Sequence, residues 1–215
     1  MSNKLKAKLE KFSEQKKDSR EEGFIETSLD NNLETATFNR VFESILKMLP
    51  KGIEEYDVWF GGGCYTRRFL NEEMSDIDFF ARSRDELARL TRFLRNNGFK
   101  SYFTNHNAIK GYIDTDRYGR INVDVVKITF DDEILTIRNF DFSVTKIVTN
   151  PHTRMAYYFE SAFIDILQKR LVLPHGIVSP LSTLKRMQKY IKRGFTACDG
   201  TLLNLSKAIA EVDFD

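Results

Sequence analysis

Hydrophobic positions along the chain change their period several times, and each change marks an element. From Thr35 to Leu49 the apolar residues Phe38, Phe42, Ile45 and Leu49 recur at a spacing near 3.6, which predicts an amphipathic helix closed by Pro50 and Gly52. Val58-Trp59-Phe60 is a short unbroken apolar run, the pattern of a buried strand, and it ends in Gly61-Gly62-Gly63, after which a helix is expected from Cys64 to Leu70. In Ser75-Asp76-Ile77-Asp78-Phe79 the period drops to two. Ile77 and Phe79 then share one face of a strand, and Asp76 and Asp78 the other. Helical spacing returns from Asp85 to Asn97 through Leu87, Leu90, Thr91 and Leu94, with Asn97-Gly98 as a left-handed stop.

Tyr102-Phe103, Ala108 to Ile113 and Arg120 to Phe130 read as strands of a meander, with Asp114 to Gly119 turning between the last two. Ile121, Val123 and Val125 mark an inward face, so Asp124 points outward with Asn122. Asp141, between Phe140 and Phe142, reads either as a strand residue facing away from the core or as a cap or turn acid. Tyr157 to Leu171 is predicted as a helix burying Phe159, Phe163, Ile166 and Leu167, with Lys169 and Arg170 where cations suit the helix dipole. Ser179, Pro180 and Gly194 frame a last helix. Leu181, Leu184, Gln188 and Ile191 trace one side of it, while Lys185, Lys189 and Lys192, joined by Arg186 and Arg193, trace another. At the start of the chain, Leu5, Leu9 and Phe12 make a stripe too narrow to hold a helix to a core; it reads as a frayed helix or as an arm for a partner or RNA.

With 215 residues, 41% hydrophobic and 30% charged, the chain can bury a sizeable core. One body with a helical appendage is expected: a charged segment over 1–23, a main domain over 24–150 and a helical region over 151–215. A net charge of +2 is too mild to argue for nucleic acid by itself, so local clustering must carry that case. Two cysteines, Cys64 and Cys198, make neither a disulfide framework nor a zinc site and fit a reducing cytoplasm. No run is apolar enough to cross a bilayer, and the charged N-terminus lacks the apolar core of a signal peptide, so a cytoplasmic location is expected.

The chemistry gathers at Asp76 and Asp78. Two carboxylates side by side repel by a few kcal/mol at the effective dielectric of a protein surface, roughly, and need a neutralising partner. A divalent cation supplies it, and oxygen-only ligands select Mg2+ or Mn2+. The strand, glycine turn and helix start upstream present N–H groups to an anion, of which phosphate is the usual one. Gly62 and Gly63 would hold it, Arg67 with Arg68 could pair with its oxygens, and Thr66 and Ser75 could add a hydroxyl. Asp124 is either a solvated edge acid or a further metal ligand.

Gly62-Gly63 followed about a dozen residues later by Asp76-Ile77-Asp78 resembles the signature of the nucleotidyltransferase superfamily, the DNA polymerase β-like fold, within it the head domain of poly(A) polymerases and CCA-adding enzymes. Asn139-Phe140-Asp141-Phe142-Ser143-Val144 resembles that group's Arg-Arg-Asp-Phe-Thr-Ile segment, and the stretch from Ser179 to Arg186 and on to Phe195 its Glu-Asp-Pro-Leu-Arg-Ile-Leu-Arg segment. The set is most similar to small stand-alone nucleotidyltransferases of bacteriophage type. The resemblance implies a mixed α/β fold, a small mixed sheet flanked by helices with a helical C-terminal region. It implies a third metal-binding carboxylate at Asp124, catalysis by Asp76, Asp78 and Asp124 with Mg2+ or Mn2+, and an NTP substrate. Asp141 and Arg186 would lie near the nucleotide. Transfer of an NMP to an RNA 3′ end such as tRNA would follow. The stripe of Lys185, Lys189, Lys192 and Arg193 reads either as a solvated face or as a phosphate-tracking surface, for an RNA acceptor or for the triphosphate itself. The family's base-reading Glu-Asp pair and arginine are replaced here by Val178, Ser179 and Ser182, so CCA addition is not carried over. The competing classes are a non-catalytic nucleotide or nucleic-acid binding module, and NMP transfer to a protein or small-molecule acceptor. Which NTP is used and the oligomeric state are not encoded in any motif.

Overall fold

The computed structural model describes residues 23–29, 35–173 and 176–212. The charged N-terminal stripe lies outside them. Among the described residues one eight-stranded sheet organises the molecule, in the order β1-β8-β7-β2-β3-β6-β5-β4. Its strands are β1 (Phe24–Ser28), β2 (Val58–Gly61), β3 (Asp76–Ala81), β4 (Lys100–Thr104), β5 (Ala108–Thr115), β6 (Gly119–Val126), β7 (Ile147–Asn150) and β8 (Met155–Phe159). All neighbours run antiparallel except β3 and β6.

Helix α1 (Ala36–Leu46) buries Phe38, Phe42 and Ile45, the period read from the sequence. Helix α2 (Gly63–Phe69) follows the glycine turn, and α3 (Arg84–Asn96) is capped by the Ser83 hydroxyl accepting from the Glu86 N–H at 3.2 Å. One face of the central strands carries Phe60, Ile77, Phe79, Val123 and Val125 into the main core with α1 and α3. The opposite face holds a smaller cluster, Trp59, Phe80, Val148 and Phe159, under Ile137 of α4 (Glu133–Arg138). There the indole N–H of Trp59 donates to the Thr136 hydroxyl at 2.8 Å. That second face also bears the aspartates.

Two expectations need correction. Tyr157 to Leu171 is not one helix: Met155–Phe159 is strand β8, and only Glu160–Leu167 is helical (α5) before a short strand β9 (Arg170–Leu171). β8 is held between β1 and β7, and backbone ladders on both edges outweigh the helical spacing of its aromatics. Leu167, expected inside, is 77% exposed, because α5 ends there and Lys169 turns left-handed at φ 50°. The region expected to be helical from residue 151 therefore opens inside a β-hairpin. Asp141 is not on a strand either; it sits in a bend between α4 and a 3-10 turn (Ser143–Thr145), because Phe140 and Phe142 enter different hydrophobic clusters.

The last helices, α6 (Pro180–Ile191) and α7 (Asp199–Ala210), follow, with β10 (Thr196–Ala197) between them paired to β9. Pro180 opens α6, but its buried face is Thr183, Met187 and Tyr190, so Leu181 and Ile191 are exposed. Met187, Tyr190, Phe195 and Leu205 join the main core, which runs without a break from the sheet into the C-terminal helices. No helix among the described residues is long and apolar enough to cross a membrane.

Candidate active site

Parallel pairing of β3 with β6 sets Asp78 directly beside Asp124, one strand over. With Asp76 two positions away on the same face, one carboxylate oxygen of each lies within 4.8 Å of the others. Asp124 is nearly enclosed, at 4% exposure, rather than a solvated edge acid. Burial, then the charges of Asp76 and Asp124, push the Asp78 carboxyl up to about 8, although Lys110 and Arg186 pull the other way. Asp124 is raised too, by burial first, against the hydrogen bond and charge of Lys110 and the charge of Lys189.

Lys110 is the residue that sequence reasoning missed. It stands opposite Asp124 on β5 and donates to its carboxylate in an ion pair. Burial acts to lower its pKa, but the hydrogen bond to Asp124 and the charges of Asp124, Asp78 and Asp76 raise it overall. Among the described residues the cluster thus sets three acids against one lysine, paired with Asp124.

Around this cluster the glycine turn closes in. A β-carbon at Gly61 would lie 2.2 Å from the Ile147 carbonyl oxygen, so only glycine lets β2 pass β7 there. Gly62 adopts φ +79°, and a β-carbon on it would approach Asp78 Oδ2 to 3.8 Å. The turn therefore abuts the carboxylates. Ser75 donates to Asp76 Oδ1 at 2.6 Å, and Asn122 donates to the Ser75 carbonyl at 3.1 Å, which fixes the start of β3 against β6. The Cys64 thiol, donating to the Gly61 carbonyl at 3.3 Å, is pushed up by burial and by Asp78 and Asp76, and stays a protonated filler beneath the turn.

Several expected ligand contacts are committed elsewhere. Thr66 is fully buried and donates to the Val144 carbonyl at 2.6 Å, which leaves it no surface for a phosphate. Arg67 donates to the Glu73 carbonyl at 3.1 Å and lies 3.6 Å from Glu72, while Arg68 donates to Ser44 of α1 at 3.1 Å. Arg193 is locked on Glu72 at 2.7 Å and lies 4.7 Å from the centre of the Tyr190 ring, so it is a structural cation rather than part of a free stripe. Lys185, Lys189 and Lys192 are exposed, and Lys189 is near enough to favour the charged form of Asp124. Arg186 bonds the nearly enclosed Asp141 and acts on Asp78 from α6. Gly62, Ser75, Arg186 and Lys189 thus lie around the aspartates, with Asp141 held by Arg186.

Three carboxylates from rigid strands, with no sulfur or imidazole among them, fit a hard divalent cation such as Mg2+ or Mn2+. The sequence profile of the Gabija anti-defense 2 family matches residues 32–170. No curated protein sequence matches the chain. Among solved structures, the fold is similar to a CCA-adding enzyme in complex with ATP, at TM-score 0.58 and 14% identity, over 87% of this chain and 46% of that one. A complex of a CCA-adding enzyme with CTP gives TM-score 0.54 at 15% identity, over 87% and 47%. The chain spans less than half the length of those structures. At such identities the likeness is one of fold: this is a mixed α/β, nucleotidyltransferase-like architecture.

Proposed function

This chain belongs to the Gabija anti-defense 2 family, and we propose that it works as a metal-dependent nucleotidyltransferase, moving an NMP from an NTP to the 3′ hydroxyl of an RNA such as tRNA. The observation that carries the reading is the convergence of Asp76, Asp78 and Asp124 against a glycine turn. In the reaction the hydroxyl oxygen bonds to the α-phosphorus, the bond to pyrophosphate breaks, and the hydroxyl proton leaves. A pair of Mg2+ ions, held by Asp76 and Asp78 with Asp124 on one of them, would supply charge stabilisation at the attacking and leaving oxygens. Asp124, on the strand beside Asp78, is the acid that would assist in removing the proton. Gly62 and Gly63 would let the triphosphate approach the backbone beside Asp78, because neither carries a side chain of its own. Arg186 and Lys189 would face its negative charge from α6.

The fold likeness to CCA-adding enzymes supports an RNA acceptor, and the exposed lysines of α6 are in keeping with one. A second reading has its own support in the family assignment: transfer of the NMP to a hydroxyl on a protein of the Gabija system, in the cytoplasm of a host where a phage-encoded protein would meet it. A binding module without catalysis is the weaker alternative, since three clustered acids cost stability unless a cation repays them. The test is label transfer from each α-labelled NTP, with Mg2+, to tRNA and to purified Gabija proteins. Label on either acceptor that disappears in Asp76→Asn supports the enzyme; label on neither, with all four NTPs, overturns it.

A further inference from the structure

The register of the sheet carries the site beyond the aspartates. Gly61, Asp78, Asp124, Lys110 and Phe103 are consecutive partners across β2, β3, β6, β5 and β4, so they form one row on one face. Asp76, Asn122, Tyr112 and Lys100 form the row beside it. The inner half of this face is covered by α4 and its cluster, but among the described residues nothing covers β4, every residue of which is exposed.

What lies open there is unusual for a sheet edge. Edge strands are commonly blunted by charge or proline, whereas β4 presents Tyr102 at 63% and Phe103 at 48% exposure. Next to them Arg120 lies 3.8 Å from the centre of the Tyr112 ring, with Lys100 5.8 Å away on the same ring. Asp114 is shared by Lys100 at 3.2 Å and Arg120 at 3.1 Å, one carboxylate for two cations, so positive charge is left over. Lys110 adds another cation between these aromatics and Asp124.

We infer that this outer face is the path of the acceptor, and that the acceptor is a single-stranded RNA end whose bases stack on Phe103 and on the Tyr112–Arg120 pair. The inference rests on the nucleotidyl transfer proposed above and gives it a substrate class. Two strand spacings of about 4.8 Å separate Phe103 from Asp124. That distance of about 10 Å is on the order of three nucleotides at the 3.4 Å rise of a stacked strand, so one strand end can reach both. Aromatic faces flanked by cations are the common means of holding single strands without reading their sequence. A duplex, whose bases are already stacked, gains nothing from such a platform.

The test uses the full chain and a fluorescent twelve-nucleotide RNA, the DNA of the same sequence and the RNA duplex, followed by anisotropy at low salt. Expected are binding of the single-stranded RNA, weaker binding of DNA and duplex, and a loss of about tenfold in Phe103→Ala that Phe103→Tyr restores. The double variant Lys100→Gln/Arg120→Gln should instead flatten the salt dependence by about 0.7 log units per lost contact for each tenfold change in salt. Phe103 is exposed, so a folding failure is not expected, and a melting curve checks this. No RNA binding by wild type, equal binding of the duplex, or wild-type affinity in Phe103→Ala overturns the inference, and equal binding of DNA overturns its assignment to RNA. The melting shift of wild type with Mg2+ and ATP reads the nucleotide site separately. If the shift is present without RNA binding, the platform fails and nucleotidyl transfer to another acceptor stands; if RNA binds without the shift, the metal and nucleotide reading fails.

Discussion

Two groups of enclosed acids in this molecule are treated in opposite ways. In and against the C-terminal region each has its own partner: Asp165, 1% exposed, accepts from Arg170 at 2.7 Å and from Ser143, while from the main domain Asp141 is bonded to Arg186 and the partly exposed Glu72 holds Arg193. In the middle of the sheet Asp76, Asp78 and Asp124 crowd together, and among the described residues Lys110 is the one cation paired with them. Charge that builds the fold is matched on the spot; charge left in excess waits for a ligand. The difference separates structural from functional acids more sharply than burial does.

The largest effect that would break this contrast is on turnover. Asp76→Asn and Asp78→Asn should each lower NMP transfer by at least about a thousandfold, the scale on which removing a group that fixes transition-state charge is felt. Neither should lose stability without metal, because Asp76→Asn removes one of the crowded charges and Asp78→Asn replaces an acid whose ionisation the site already resists. Melting curves with Mg2+ and NTP complete the test: wild type should gain stability and the variants should not. If the variants gain as much, the cluster is not the metal site.

Asp165 should behave in reverse. Asp165→Ala removes the acceptor for Ser143 and Arg170 and should cost about 2 kcal/mol. That is roughly 4–8 °C in Tm for a chain of this size, without effect on Mg2+-dependent stabilisation. Equal responses of Asp165→Ala and Asp78→Asn would erase the distinction between the two groups.

A smaller effect is expected from α6. Lys189→Gln/Lys192→Gln should reduce the salt dependence of RNA binding by about 1.4 log units per tenfold salt if both lysines contact a single strand. The Arg193 variant is not a fair member of that test, since losing the Glu72 bridge loosens α6 itself. A wild-type slope in the double variant would make the stripe a solvated face and leave the outer strands as the whole RNA surface.

How much of this was readable in the residues follows from whether the deciding contact is local. The glycine turn, the two-residue period of Asp76 and Asp78, and the helices around Phe42 and Leu90 depend on near neighbours and came through. Lys110 did not, yet its place was implicit. The turn read over Asp114 to Gly119 pairs Thr115 with Gly119, and counting back five residues on one strand and forward five on the other sets Lys110 opposite Asp124. The failed helix at Tyr157 depended on pairing with β1, far away in sequence, as well as with its hairpin neighbour β7, and the helical spacing of its own aromatics reports neither. Thr66 and Arg193 had the right residue types at the right spacing for ligand contacts, but Val144 and Glu72 claim them first.

The smallest expected effect concerns pH, and its sign is opposite to that of an ordinary salt-bridged acid. In the folded protein Asp78 holds its proton up to about 8, whereas an unfolded chain releases it near 3.8. Between those values the folded state binds more protons than the unfolded state, so stability falls as pH rises through the window. Without metal, wild-type Tm should therefore decline from pH 5.5 to 8 more steeply than that of Asp78→Asn, which has no proton to lose. Saturating Mg2+ should reverse the trend in wild type, because the cation binds the ionised carboxylates and competes with the proton, so its affinity rises with pH. Parallel pH profiles for wild type and Asp78→Asn, with and without Mg2+, would mean that the crowding of Asp76, Asp78 and Asp124 is relieved by some means other than a proton or a metal. The contrast with the paired acids of the C-terminal region would then have no energetic basis.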